Sequence, residues 1–238
     1  MLVCFAQSIS YARLYHTIGG NKMKRFLILM LVLLVGCGEA KQEALRRTEQ
    51  EALKRTEQES LKRIKAELKS SGTITDEDAE HLSQRHEELY FLGDLTSITN
   101  KQAESLGKVA YLRLNGLTSI TDEQAKSLSK ANSLFLDGLN SITDEQAESL
   151  SKVEVLVLNG LTSITDEQVE ILSEVKTLNF NGLSSITDKQ AESLSKVCWL
   201  ELKGVASITD QQAESLSKVQ YLYIPMSCQE LINEYKIP

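Results

Sequence analysis

Trp199 is the only tryptophan in the chain; Tyr221 follows it by 22 residues, and Tyr223 comes just after. Tyr111, Arg113 and Asn115, then Phe135 and Asp137, hold corresponding places earlier at the same spacing. These residue types recognise by stacking, hydrogen bonding and charge, and they dominate the energetics of binding surfaces. The full set of such places is Tyr111, Arg113, Asn115; Ser133, Phe135, Asp137; Val155, Val157, Asn159; Thr177, Asn179, Asn181; Trp199, Glu201, Lys203; Tyr221 and Tyr223. The line Asn115, Asp137, Asn159, Asn181 offers oxygens to an ion, but one acid makes a thin ligand set, so no metal is expected there.

Chemistry of turnover has fewer candidates. The histidines are His16, His81 and His86, and none has a nucleophile or ligand set at a recognisable spacing. No G-x-S-x-G, P-loop, H-E-x-x-H or G-x-G-x-x-G run occurs. The recurrent Thr-Asp-Glu runs place acids at helix starts, where capping accounts for them. Cys4, Cys37, Cys198 and Cys228 are too scattered for a disulfide framework or a CxxC metal site. Export would permit a Cys198–Cys228 bridge, and free thiols fit equally well. No enzyme activity and no cofactor are expected.

The elements that position these residues are legible from composition and period. Hydrophobic residues make up 42% of 238, enough for a core, while aromatics are 5% and prolines only 2. The formal charge of −7 argues against a nucleic-acid surface.

Met23-Lys24-Arg25 precedes a ten-residue apolar run, Phe26 to Val35, and then Gly36-Cys37. Spanning a bilayer takes about 20 apolar residues, so this run has secretory-signal rather than transmembrane proportions. Leu34-Val35-Gly36-Cys37 resembles the bacterial lipobox. The resemblance implies a signal peptide over 23–36, cleavage before Cys37, a lipid on Cys37, and a cell-envelope location. Gly38 in the next place fits the outer membrane of a diderm. Residues 1–22 read as a non-native extension or long leader, with Met23 the true start. Residues 1–36 carry Arg13, Lys22, Lys24 and Arg25 and no acid, so the exported part would have a net charge of −11.

Residues 40–69 repeat an eight-residue theme rich in helix formers, without Gly or Pro. Charge alternates every four residues through Glu43, Arg47, Glu51, Arg55, Glu59, Arg63 and Glu67, the spacing at which side chains meet on a helix. Leu45, Leu53 and Leu61 recur every eight residues and form no straight seam. The expectation for 37–72 is a lone charged helix, a stalk or tether, ended by Ser70-Ser71-Gly72.

Beyond it the chain repeats itself. Ile98, Ile120, Ile142, Ile164, Ile186 and Ile208 stand 22 residues apart, and Ile74 opens an earlier copy with two extra residues, placed around Arg85 to Glu88. Leu156 and Leu158 have strand spacing. Gly116, Gly138, Gly160, Gly182 and Gly204 suit a turn. Thr121-Asp-Glu-Gln124 has the form of a capping box, recurring at Thr99/Gln102, Thr143/Gln146, Thr165/Gln168, Thr187/Gln190 and Thr209/Gln212. Ala125 and Leu128 face inward from the helix that follows. A strand–turn–helix unit of this size cannot bury its apolar stripe alone, so stacking must supply the partner.

The pattern Val153-x-x-Leu156-x-Leu158-x-x-Leu161-x-x-Ile164-Thr165-Asp166 resembles the leucine-rich-repeat family, and its Ile-Thr-Asp element is similar to the cysteine-containing subclass. The likeness covers about residues 74–224. It implies an α/β solenoid of right-handed, curved strand–turn–helix units. The family usually has Asn or Cys where this chain has Leu117, Leu139, Leu161, Leu183 and Val205, so a side-chain ladder bonding the turns is expected to be missing. Seven strands are expected, near Tyr90, Leu112, Leu134, Leu156, Leu178, Leu200 and Leu222. They would form an inner face about 30 Å long. The repeat domain spans 73–224. Residues 225–238 read as a cap: Pro225 stops the ladder, and Ser227-Cys-Gln-Glu230 resembles a capping box opening a helix with Leu231, Ile232 and Tyr235 inward.

The expected role is recognition of a protein or peptide on the inner strand face by a monomer anchored to the membrane through Cys37. The alternatives are an envelope tether without a dedicated ligand and a carbohydrate-binding adhesin.

Overall fold

The computed structural model describes residues 39–84 and 90–236. The residues of the signal run, Cys37, the extension 1–22 and the insertion around Arg85 to Glu88 lie outside the described residues. The chain divides into two compact units, Met1–Leu61 and Lys62–Pro238.

Helix α1, Glu39–Ser71, contributes to both. In the first unit Arg47 Nη2 meets Glu43 Oε1 at 2.7 Å, one turn away, and Leu53 is exposed. In the second, Ile64 and Leu68 are buried, so this last stretch of α1 is core. Gly72 ends the helix with φ 67°, a conformation that glycine adopts without cost, and its carbonyl accepts from Thr96 N at 2.8 Å.

The second unit is an α/β solenoid of stacked repeats, as expected. Helix α2 is Asp76–Ser83, followed by a 3₁₀ turn, Tyr90–Asp94, and α3, Asn100–Leu106. Strands and helices then alternate: β1 Tyr111–Arg113, α4 Asp122–Leu128, β2 Ser133–Phe135, α5 Asp144–Leu150, β3 Val155–Val157, α6 Asp166–Leu172. The series continues with β4 Thr177–Asn179, α7 Asp188–Leu194, β5 Trp199–Glu201, α8 Asp210–Leu216, β6 Tyr221–Tyr223 and α9 Met226–Tyr235. The sheet is parallel in the order β1 to β6, each residue facing the one 22 later, as Leu112, Leu134, Leu156, Leu178, Leu200 and Leu222 do. The first five of these leucines are 0% exposed, as are Ala125 and Leu128 of α4.

The expected strand near Tyr90 is the 3₁₀ turn instead, so the sheet has six strands and spans about 24 Å at 4.8 Å spacing. Gly93 stands where later repeats have Asn, Asp or Lys, two residues beyond their strands. The turn chemistry survives: Leu95 N donates to Leu92 O at 3.0 Å, as Leu117 N does to Leu114 O.

Every helix from α2 to α8 opens with a capping box. The expected box at Ser227–Glu230 does not form. Helix α9 starts at Met226, and Pro225, whose ring fixes φ near the observed −55°, caps it without a side-chain bond. Its Ile232 is buried, as is Cys228, while Leu231 and Tyr235 are only half-buried.

The repeated glycines lie at turns, as expected, and also serve close approach; none of them needs a left-handed φ, since Gly72 has the only positive φ among the described residues. A Cβ on Gly182 would lie 2.5 Å from the carbonyl oxygen of Leu161, and one on Gly204 would lie 2.7 Å from that of Leu183. Backbones of successive turns therefore touch where any side chain would push them apart.

Candidate functional site: the strand face

Alternation along β1, β2, β4 and β5 buries the central leucine and turns its neighbours outward. Among the neighbours, β1 and β2 bring one group together. The rings of Tyr111 and Phe135 stand 4.7 Å apart, and the Arg113 guanidinium lies 4.9 Å over Phe135. Arg113 Nη2 also donates to Tyr111 Oη at 3.5 Å.

A second group lies on β5 and β6. Trp199 is 5.2 Å from Tyr221 and 5.2 Å from Tyr223, the latter in a stacked arrangement. Tyr221 is 48% and Tyr223 45% exposed. Lys203 Nζ sits 5.8 Å over the Tyr223 ring and pairs with Glu201 Oε2 at 2.6 Å, where Asn181 Nδ2 also donates at 3.1 Å. Burial alone would raise the Glu201 carboxyl, but hydrogen bonds from Lys203, Asn181 and Trp199 outweigh it and hold the acid below its ordinary range.

The structure does not gather all these residues into one site. About four strand spacings, roughly 19 Å, separate the two groups. The rows between them hold small or polar residues: Val155, Val157, Thr177 and Asn179. Val157 was expected on the open face, yet it is 4% exposed; it is the shortest side chain in the row Phe135, Val157, Asn179. Asn179 Oδ1 is buried without a hydrogen-bond partner among the described residues.

Four expected recognition residues have a structural task. Asp137 Oδ1 accepts from Asn159 N at 3.2 Å, Asn159 Oδ1 from Asn181 N at 3.0 Å, and Asn181 Oδ1 from Lys203 N at 2.9 Å. Asn115 Nδ2 joins by donating to Asp137 Oδ2 at 2.7 Å. This is the ladder expected to be missing, carried two residues before the position where the family usually has it. Asp137 Oδ1, Asn159 Oδ1 and Asn181 Oδ1 are thus committed to backbone donors, while Asn115 Oδ1 is buried without a hydrogen-bond partner among the described residues.

A second ladder runs on the helix side. The capping-box glutamines Gln102, Gln124, Gln146, Gln168, Gln190 and Gln212 each donate Nε2 to an isoleucine carbonyl one repeat back, from Ile74 O to Ile186 O, at 2.8–3.0 Å.

Cys198 and Cys228 are free thiols. Cys198 Sγ contacts Gln220 Oε1 at 3.2 Å, and Cys228 is buried beneath Val205 O.

Sequence reasoning passes over Asp78, although Thr75-Asp-Glu-Asp78 also has the spacing of a capping box. Its buried carboxylate accepts from Thr75 Oγ1 at 2.7 Å and pairs with Arg63 of α1.

No family model matches the sequence, and no curated protein does. Two solved structures from Listeria monocytogenes str. 4b F2365 are similar. One is an internalin, inlF, at 13% identity and a TM-score of 0.41, covering 69% of this chain. The other is internalin C2, at 16% identity and a TM-score of 0.38, covering 68% of this chain and 92% of that one. The chain spans 62% of the length of the first.

Proposed function

We propose that this chain binds a protein or peptide on its strand face, held at a bacterial cell envelope by lipid on Cys37. The observation that carries the binding role is the Trp199–Tyr221–Tyr223 cluster, with large rings left half open to solvent beside a salt-linked Lys203 and Glu201. Stacked aromatics with a charged rim suit a binding hot spot. Sequence contrast supports the same reading. Helices α4, α5, α7 and α8 are near copies, DEQAKSL, DEQAESL, DKQAESL and DQQAESL, whereas the strands read YLR, SLF, VLV, TLN, WLE and YLY. The anchor rests on sequence alone: Met23-Lys24-Arg25, the apolar run Phe26 to Val35 and Leu34-Val35-Gly36-Cys37.

Affinity capture from the native envelope tests the role, comparing the intact chain with a Trp199→Ala, Tyr223→Ala, Arg113→Ala variant. Loss of a protein partner in the variant is expected. Loss of glycan binding instead supports the carbohydrate reading, and identical capture supports a tether without a ligand. Mass spectrometry of the native protein tests the anchor: an unmodified Cys37 overturns it.

A further inference from the structure

The backbone bonds of the strand stack run as a series. Leu114, Leu136, Leu158, Phe180 and Leu202 donate N–H to Phe135, Val157, Asn179, Glu201 and Tyr223 at 2.8–3.0 Å. The next member is Ile224, whose N–H meets no backbone acceptor among the described residues. In the opposite sense, the carbonyls of Ala110, Asn132, Glu154, Lys176 and Cys198 each accept from the following strand, and at Gln220 that series stops. Alternation in a parallel ladder turns the N–H and C=O of Leu222 to the same free side. Gln220, Leu222 and Ile224 thus present an open rung pattern along β6.

The side chains around this edge are also unfinished. Leu222 and Ile224 are half-buried, where Leu200 and Leu202 are 0% exposed. Met226, at 81%, is among the most exposed apolar residues described. Natural sheet edges are commonly guarded by charge or proline. Here Pro225 stands one repeat after Lys203, whose ammonium offers no acceptor to continue the asparagine ladder, yet Val219 to Gln229 holds no charged residue at all. The rest of unit Lys62–Pro238 carries 27 acids against 17 Lys and Arg, a net of −10.

We propose that β6 accepts an extended segment of another protein as a seventh strand, its core alternately apolar and its flanks basic. The open rungs specify an extended backbone. The uncharged edge specifies apolar side chains beside Leu222 and Ile224, and the surrounding acidity favours basic flanks. A second copy of this chain fits less well, since it brings the same negative charge. The proposal rests on the binding role above and names the form of the partner.

The test titrates the full chain with a synthetic Lys-Val-Thr-Val-Thr-Val-Lys peptide and follows the fluorescence of Trp199, which neighbours both tyrosines. Saturable binding is expected. N-methylation of one alternate set of peptide amides should weaken it about tenfold, because only that set faces the edge, while the other set leaves it within about twofold. Equal effects of both sets overturn strand addition, as does equal binding of a Glu-flanked twin or no saturation by about 1 mM. A dimer of the chain that the peptide dissociates assigns the edge to a second copy, which also overturns it. If a native partner is lost on Trp199→Ala but is indifferent to excess peptide, the binding role stands and the strand addition falls.

Discussion

Gln168 bonds two repeats at once: its Oε1 accepts the N–H of Thr165 at 3.2 Å, and its Nε2 donates to the carbonyl of Ile142 at 3.0 Å. One side chain thus closes a helix start and ties it to the turn beneath. A buried carbonyl left without its donor costs about 1–3 kcal/mol. Gln146→Ala, which strips Ile120 O of its 2.8 Å partner, should lower unfolding free energy by that amount in urea titration. The neighbouring exposed Glu145→Ala should stay within about 0.5 kcal/mol.

Gly182→Ala should be among the most damaging small substitutions in the chain. The added methyl meets the carbonyl oxygens of Asn159 and Leu161, which are backbone atoms of the preceding turn and cannot swing aside. A loss of at least about 2 kcal/mol is expected. Gly93→Ala is the control, because nothing lies within 4 Å of its added carbon. It should be neutral, or stabilising by up to about 1 kcal/mol, through a less flexible unfolded chain. Thermal unfolding of both variants checks the contrast.

The Asp78–Arg63 pair makes stability fall in acid. Burial alone would raise the Asp78 carboxyl, but bonds from Thr75 and Arg63 outweigh it and hold the group below its ordinary value. A carboxyl lowered on folding contributes stability above its unfolded value, about 3.9, and loses it as pH drops through the folded one. Asp78→Asn should therefore cost about 1–2 kcal/mol at pH 7. The gap to the parent should close below about pH 4, as measured by denaturant titration across pH.

Asn159→Ala should destabilise the solenoid by about 1–2 kcal/mol, because Asn181 N loses its 3.0 Å acceptor. Asn159→Asp should restore most of this, since Asp137 already accepts the equivalent bond in the preceding repeat. Chemical denaturation of the two variants separates this structural task from a purely ligand-facing one.

What the sequence made legible was local. The Thr-x-x-Gln boxes, the Leu156–Leu158 alternation and the inward Ala125–Leu128 pair each act over a few residues, and all are present. What it concealed acts between repeats. The second bond of each capping-box glutamine, the clash behind Gly116, Gly138, Gly160, Gly182 and Gly204, and the Asn159–Asn181 rung depend on how closely one turn lies on the next. A 22-residue period names the partners, but the distance comes only with the stack. Tyr90 shows the reverse limit: the period puts a strand there, and the chain forms a 3₁₀ turn instead.

Hydroxyl-radical footprinting of the chain with and without its captured envelope partner tests the binding face most directly. The account predicts that oxidation of Trp199, Tyr221 and Tyr223 falls at least about threefold on binding, while Leu53, 43% exposed on α1, is unchanged. Unchanged oxidation of the three rings, with protection confined to helices α4 to α8, would contradict it.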